Sequence, residues 1–260
     1  IEEMGEFELA IERCDELLSG REDFPRPDRL LQAEIHYLKS KSLFYLDNLE
    51  GAAFLVRRAS KAVGDQPVYY AFEGQILFEL GRFEEARRIL ERAVAMDSES
   101  AHAAYHLALV LERLDSREDS DALFLRANSL APQHYALPVE VSDTVFEAAV
   151  REAMANLPRS IREYIEDVTV LVEDYPPADL VQTENVSPQI LGIFMGVPRT
   201  EAMVTAQATD LDRVVLFKKN LEKVCRDVEE LMVQIQITVR HEIGHYLGLD
   251  EDDMDRLGLA

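Results

Sequence analysis

The sequence predicts two domains of different class: an all-α solenoid of helical repeats over residues 1–135 and a small α+β domain over residues 136–260. Three observations lead there. Small and large apolar residues recur every 34 positions through the first half. That period stops after Pro132, where β-branched runs bounded by proline take over. From Asn220 the apolar residues return to helical spacing and run into His241-Glu242-Ile243-Gly244-His245, with an acidic cluster just behind it.

The repeats come first. With position 1 of a unit at Pro67, Gly74 stands at position 8, Ala86 at 20, Leu90 at 24 and Ala93 at 27. A unit from Ala101 gives Ala108, Ser120, Phe124, Ala127 and a closing Pro132; one from Ala33 gives Ser40, Ala52, Val56 and Ala59. Small residues fall where paired helices must approach closely, and larger ones at position 24. This pattern resembles the tetratricopeptide repeat, and Gly81-Arg82-Phe83-Glu84-Glu85-Ala86 looks like its turn and second-helix entry. Residues 4–19 read as the second helix of a further unit, and residues 21–29 break the period. The resemblance implies a solenoid that recruits a protein or peptide in its groove, faced by Val68, Ala71, Gln75, Phe78, Tyr105, Leu109 and Arg113. No lysine belongs to that set, so a clamp for a carboxylate terminus is not expected.

In the second half, Ser142 can cap a helix to about Leu157, which Pro158 ends. A helical turn over 161–166 follows. Residues 168–173 read as a strand from their β-branched content, as do 190–197 and 213–218. Leu221, Val224, Val228, Leu231, Ile235, Val239, Ile243 and Leu247 then form one amphipathic stripe. His241 and His245 lie about 200° around from Val239 and Ile243, so the small sheet is the expected cover for that opposite face.

Residues four apart sit one turn above each other on a helix, so His241 and His245 present their rings to one point. Two neutral imidazoles at that spacing make half of a tetrahedral zinc site. Glu242 is rotated about 100° from His241 and can act as general base without being a ligand. Gly248 lets the helix end and the chain reverse, bringing Asp250, Glu251, Asp252 and Asp253 back towards the pair. A second pair, His102 and His106, has the same spacing but no following glutamate, glycine or acidic cluster. It reads as a helix-surface pair without metal.

Asn156-Leu157-Pro158, Val172-Glu173-Asp174, Leu191-Gly192-Ile193-Phe194-Met195-Gly196 and Thr238-Val239-Arg240-His241-Glu242-Ile243-Gly244-His245 occur in that order. Together they resemble a family of small bacterial zincin-like metallopeptidases, the minizincins, over about residues 140–259. The resemblance implies a short mixed sheet, a helix bearing HExxH and a closing helix. It also implies Zn2+ as cofactor and a peptide or protein as substrate, hydrolysed by a metal-activated water with Glu242 as the base. In the family the third ligand is an aspartate. The matching position here is Glu251, with Asp250 one residue earlier and then Asp253 as the alternatives. The rival expectation is a repeat-based interaction scaffold whose zinc module is structural or regulatory.

The formal net charge of −23 argues against nucleic acid and anionic membranes, since few cations are present to meet phosphates. No apolar run is long enough to span a bilayer. The two cysteines, Cys14 and Cys225, lie in apolar helical patterns and read as buried thiols, which suits a reducing cytoplasm. The sequence starts at Ile1 rather than methionine, which leaves a preceding targeting segment open.

Overall fold

The structure is a computed structural model that describes residues 2–20, 26–64, 66–163, 165, 168–196, 213–250, 253, 254 and 256. The chain divides into two compact units, Ile1–Tyr135 with Val181–Ser187, and Ala136–Leu180 with Pro188–Ala260.

The first unit is helical: α1 (Glu2–Ser19), then the pairs α2 (Arg29–Tyr45) and α3 (Leu49–Val63), α4 (Pro67–Glu79) and α5 (Phe83–Met96), and α6 (Ala101–Arg113) and α7 (Arg117–Leu130). The second helix of each pair begins 34 residues after the last, at Leu49, Phe83 and Arg117. Ala52, Ala59, Ala86, Ala93, Ala108 and Ala127 have no exposed surface, and Val56, Leu90 and Phe124 are buried beside them. At Gly74 an added Cβ would fall 3.0 Å or less from three side-chain atoms of Leu90, so a bare backbone is what lets these two helices touch. Where the small residue is serine, its hydroxyl donates across the pair: Ser40 to the Ala52 carbonyl at 2.7 Å and Ser120 to that of Ala108 at 2.9 Å.

The turn inside each pair carries a residue with positive φ: Asp47 at 58°, Gly81 at 68° and Asp115 at 56°. Only the glycine was conspicuous in the sequence, because aspartate tolerates this left-handed region with a small penalty. The first pair starts earlier than a unit counted from Ala33, because the Asp28 side chain accepts from the Leu31 amide at 2.8 Å and caps α2 there.

His102 and His106 depart from the helix-surface reading. Their rings lie 4.4 Å apart in α6, but His106 is buried against Tyr105, and His102 Nδ1 lies 3.4 Å from the Tyr135 hydroxyl. Of the expected groove positions, Val68, Ala71 and Gln75 line a cleft of about 450 Å³ together with Tyr37, Lys41 and His102. Phe78 and Leu109 are instead core residues, because α4 and α6 are apolar nearly all round. Val181–Ser187 belongs to this unit: Gln182 donates to the Gly81 carbonyl at 2.9 Å and Ser187 to the Glu79 carboxylate at 2.7 Å.

The second unit contains α8 (Asp143–Ala155), α9 (Arg159–Arg162), β1 (Thr169–Glu173), the start of α10 (Ala178–Thr183), β2 (Gly192–Met195), β3 (Arg213–Phe217), α11 (Lys218–Val224) and α12 (Val228–Leu247). Its sheet is mixed, in the order β1-β3-β2. β1 runs parallel to β3 and β2 antiparallel to it, with Ile193 opposite Val215. β2 is shorter than the expected 190–197: Leu191 precedes it, Gly196 ends it with φ 157°, and Val197 lies outside the described residues.

The expected single stripe from Asn220 is split, because Cys225–Asp227 break the helix and shift its phase. Val224 and Val228 are consequently exposed, while Leu231, Ile235, Val239 and Ile243 of α12 are fully buried against Phe146, Ala149, Val150 and Ala153 of α8 and the sheet. Asp227 caps α12 through the Glu230 amide at 2.8 Å, and Glu230 reaches back to the Arg226 amide at 2.7 Å.

Glu222 of α11 has no exposed surface, yet its carboxyl group is fully partnered. Lys219 donates to it at 2.9 Å and Lys218 lies 3.8 Å away, while its Oε1 accepts from the Val141 amide and its carbonyl from that of Val139. Burial by itself lowers the Lys218 pKa, but the Asp143 hydrogen bond and the Glu222, Asp143 and Asp174 charges more than offset it and leave it raised.

Two stability predictions follow from these buried charges and histidines. Glu222→Ala removes a buried partner of Lys218 and Lys219 and leaves the Val141 amide without its acceptor. It should cost about 3–5 kcal/mol of unfolding free energy, read from denaturant midpoints. In the first unit, burial drives the pKa of His106 well below 6.5 and that of His102 and His36 below it. The unfolded chain takes up those protons near pH 6.5 while the folded one resists, so stability is complete above that pH and falls as the pH drops through it. Replacing His106 by Phe should flatten the slope of the urea midpoint between pH 7 and 5; an unchanged slope would contradict the assignment.

Candidate metal centre

Helix α12 supplies the candidate site in its last two turns. His241 and His245 stand one turn apart, with Nε2 atoms 3.1 Å from each other and ring planes nearly perpendicular at 88°. Two nitrogens bound to one tetrahedral zinc, each about 2.0–2.1 Å from it, would lie roughly 3.3 Å apart. The imidazole pair therefore fits the ion that its spacing suggests, and both rings remain partly exposed.

Glu242, the residue after His241, lies in a protected place. It is 6% exposed, and its stem packs on β2: a Cβ added to Gly192 would lie 3.1 Å from Glu242 Cγ and 2.9 Å from Thr238 Cγ2. The sheet is expected over the His241–His245 face; the contact seen is with the adjoining Thr238–Glu242 flank, and it is made through a glycine. A glycine inside a β-branched run was the sequence signal for this close approach. Tyr246 is buried against Phe194 of β2, with ring centroids 5.5 Å apart, so it is a packing residue.

The helix ends at Gly248, whose φ of 76° lets the chain reverse; the Leu249 amide donates back to the Gly244 carbonyl at 3.1 Å. Asp250 is exposed, and its Oδ1 accepts from the Asp253 amide at 2.8 Å, which commits that oxygen to the next turn. Asp253 pairs with Arg256. Glu251 and Asp252 lie outside the described residues. Among the described residues, no third His, Cys, Asp or Glu joins His241 and His245. Met254, absent from the sequence reading, is fully buried and sits against Gly244.

Residues 165–259 match the zincin-like metallopeptidase family, and residues 68–100 match the tetratricopeptide repeat. The chain thus joins a tetratricopeptide-repeat half to a zincin-like domain. The zincin match begins after α8, although that helix shares the domain's core. No curated protein matches the chain. Among solved structures, the chain is similar to the Arabidopsis OM64 TPR domain at 22% identity and a TM-score of 0.39, covering 40% of this chain and 87% of that one. It is similar to MamA at 20% and 0.43, covering 49% and 70%. For MamA 41-end from Desulfovibrio magneticus RS-1 the values are 17% and 0.42, over 63% and 81%.

The two histidine pairs make a direct comparison. His241→Ala should lower bound zinc in the purified chain to a small fraction of the wild-type content, while His102→Ala leaves it unchanged. Equal losses in metal analysis would mean that the pair in α12 is not the site.

Proposed function

We propose that the second unit is a zinc-dependent peptidase and that the first recruits its protein or peptide substrate. The observation that supports this most is the convergence of the His241 and His245 nitrogens beside a sheltered, non-ligating Glu242. His241 and His245 would hold the metal with a carboxylate from the acidic segment after Gly248, Glu251 first and Asp250 as the alternative. Zinc, when bound, supplies a Lewis acid that brings a water's pKa towards neutrality and polarises a carbonyl.

The remaining work falls to the chain's own groups. Glu242 takes the proton of the attacking water and returns it to the leaving amine. Its stem packs on Gly192 of β2 and the residue is buried, which restricts the side chain that would do this. Among the described residues β2 pairs with β3 on one side, and an extended peptide can pair with its other edge. The cleft bounded by Tyr37, Lys41 and Gln75 is the candidate recruiting surface of the first unit.

The competing reading is an interaction scaffold in which the zinc module is structural or regulatory. The sheet, three-stranded among the described residues, favours it, since strands this short leave little wall for a deep substrate cleft. Glu242 favours the peptidase, because a closed structural site has no use for a base. Glu242→Gln separates the two. With zinc content retained, peptide cleavage should fall by about 10²–10⁴-fold. A wild-type chain loaded with zinc that cleaves nothing across a broad peptide library would give the scaffold reading the better claim.

A further inference from the structure

Gly244 occupies the helical turn between His241 and His245. A Cβ built there would lie 2.9 Å from Met254 Cγ and closer still to its sulfur. Met254 therefore rests directly on the helix backbone at the one turn that presents both rings. It has no exposed surface, although Asp250 and Arg256 on either side of it are exposed. Its amide donates to the Asp250 carbonyl at 2.9 Å, and the Asp253 amide to Asp250 Oδ1 at 2.8 Å. At the other end, Gly248 and Leu249 amides donate to the His245 and Gly244 carbonyls at 3.0 and 3.1 Å. Among the described residues, the chain after α12 is thus held to the same turn at two places, by the Gly248 and Leu249 backbone bonds and by the Met254 side chain.

We infer that Met254, seated on Gly244, is a positioning residue of the metal centre: it fixes the Asp250–Met254 turn, held by the Met254 and Asp253 amides on Asp250, against the helix turn that carries His241 and His245, and so sets the affinity of the site. The inference rests on the metal-centre reading above. Polar contacts alone do not do this work, because the side chains of Asp250 and Asp253 are engaged with the Asp253 amide and with Arg256. The anchor is apolar volume at one spot, which a residue of similar size can supply and alanine cannot.

The test uses the full chain and Zn2+ alone, with the dissociation constant measured by competition against a chromophoric chelator. Visible absorption of the Co2+-loaded chain reports the coordination geometry. Met254→Ala should weaken zinc binding on the order of tenfold or more and reduce the Co2+ absorption, with Met254→Leu recovering both. Gly244→Ala removes no contact and favours the helix, yet it unseats Met254 and should give the same loss. Wild-type affinity in either alanine variant would overturn the inference while leaving the metal centre standing. A wild-type chain that binds no zinc would instead overturn the metal centre itself, and this inference with it.

Discussion

One turn of α12 has to satisfy two demands at once. Leu231, Ile235, Val239 and Ile243 commit one face of the helix to the core, with no exposed surface at any of them. The period of the helix then dictates where His241 and His245 go, on the far side, in register with each other. Burial of the inner face makes the outer one rigid. The 3.1 Å separation of the two ring nitrogens accords with that fixed face. Every other feature of the site, including the glycine of β2 beside Glu242 and the methionine on Gly244, is arranged around a helix that cannot rotate.

Much of this was legible in the sequence because periodicity is a long-range signal. The small residues at Ala52, Ala86 and Ser120 recur at one spacing, and a spacing repeated three times fixes the helix pairs before any geometry is known. The HExxH segment was legible for a related reason, since the chemistry requires residues four apart. The strand ends and the break at Cys225–Asp227 were less so, because they depend on single residues whose effect is settled by packing. Val224 and Val228 look like members of one stripe until the capping bonds of Asp227 reset the phase. The His102–His106 pair misleads in the opposite sense: nothing local distinguishes an exposed pair from one packed against Tyr105 and Tyr135.

Glycine carries information in this chain mainly through what touches it. Gly74, Gly192 and Gly244 are all sites where another side chain occupies the space a Cβ would fill. Their neighbours are Leu90, Thr238 with Glu242, and Met254, none adjacent to the glycine in sequence. The close approach at each depends on both partners, which is why a single-sequence reading sees the glycine but not its reason.

The turns at Asp47, Gly81 and Asp115 have a consequence for how such a unit can grow. They share a backbone state and recur at the same interval as the small residues packed between helices. A duplication that starts and ends at two equivalent turns inserts one whole period and returns every downstream residue to its old neighbours. An insertion of any other length puts alanine where leucine belongs throughout the following pair. The solenoid can therefore lengthen or shorten by recombination in whole repeats without redesign of its interior.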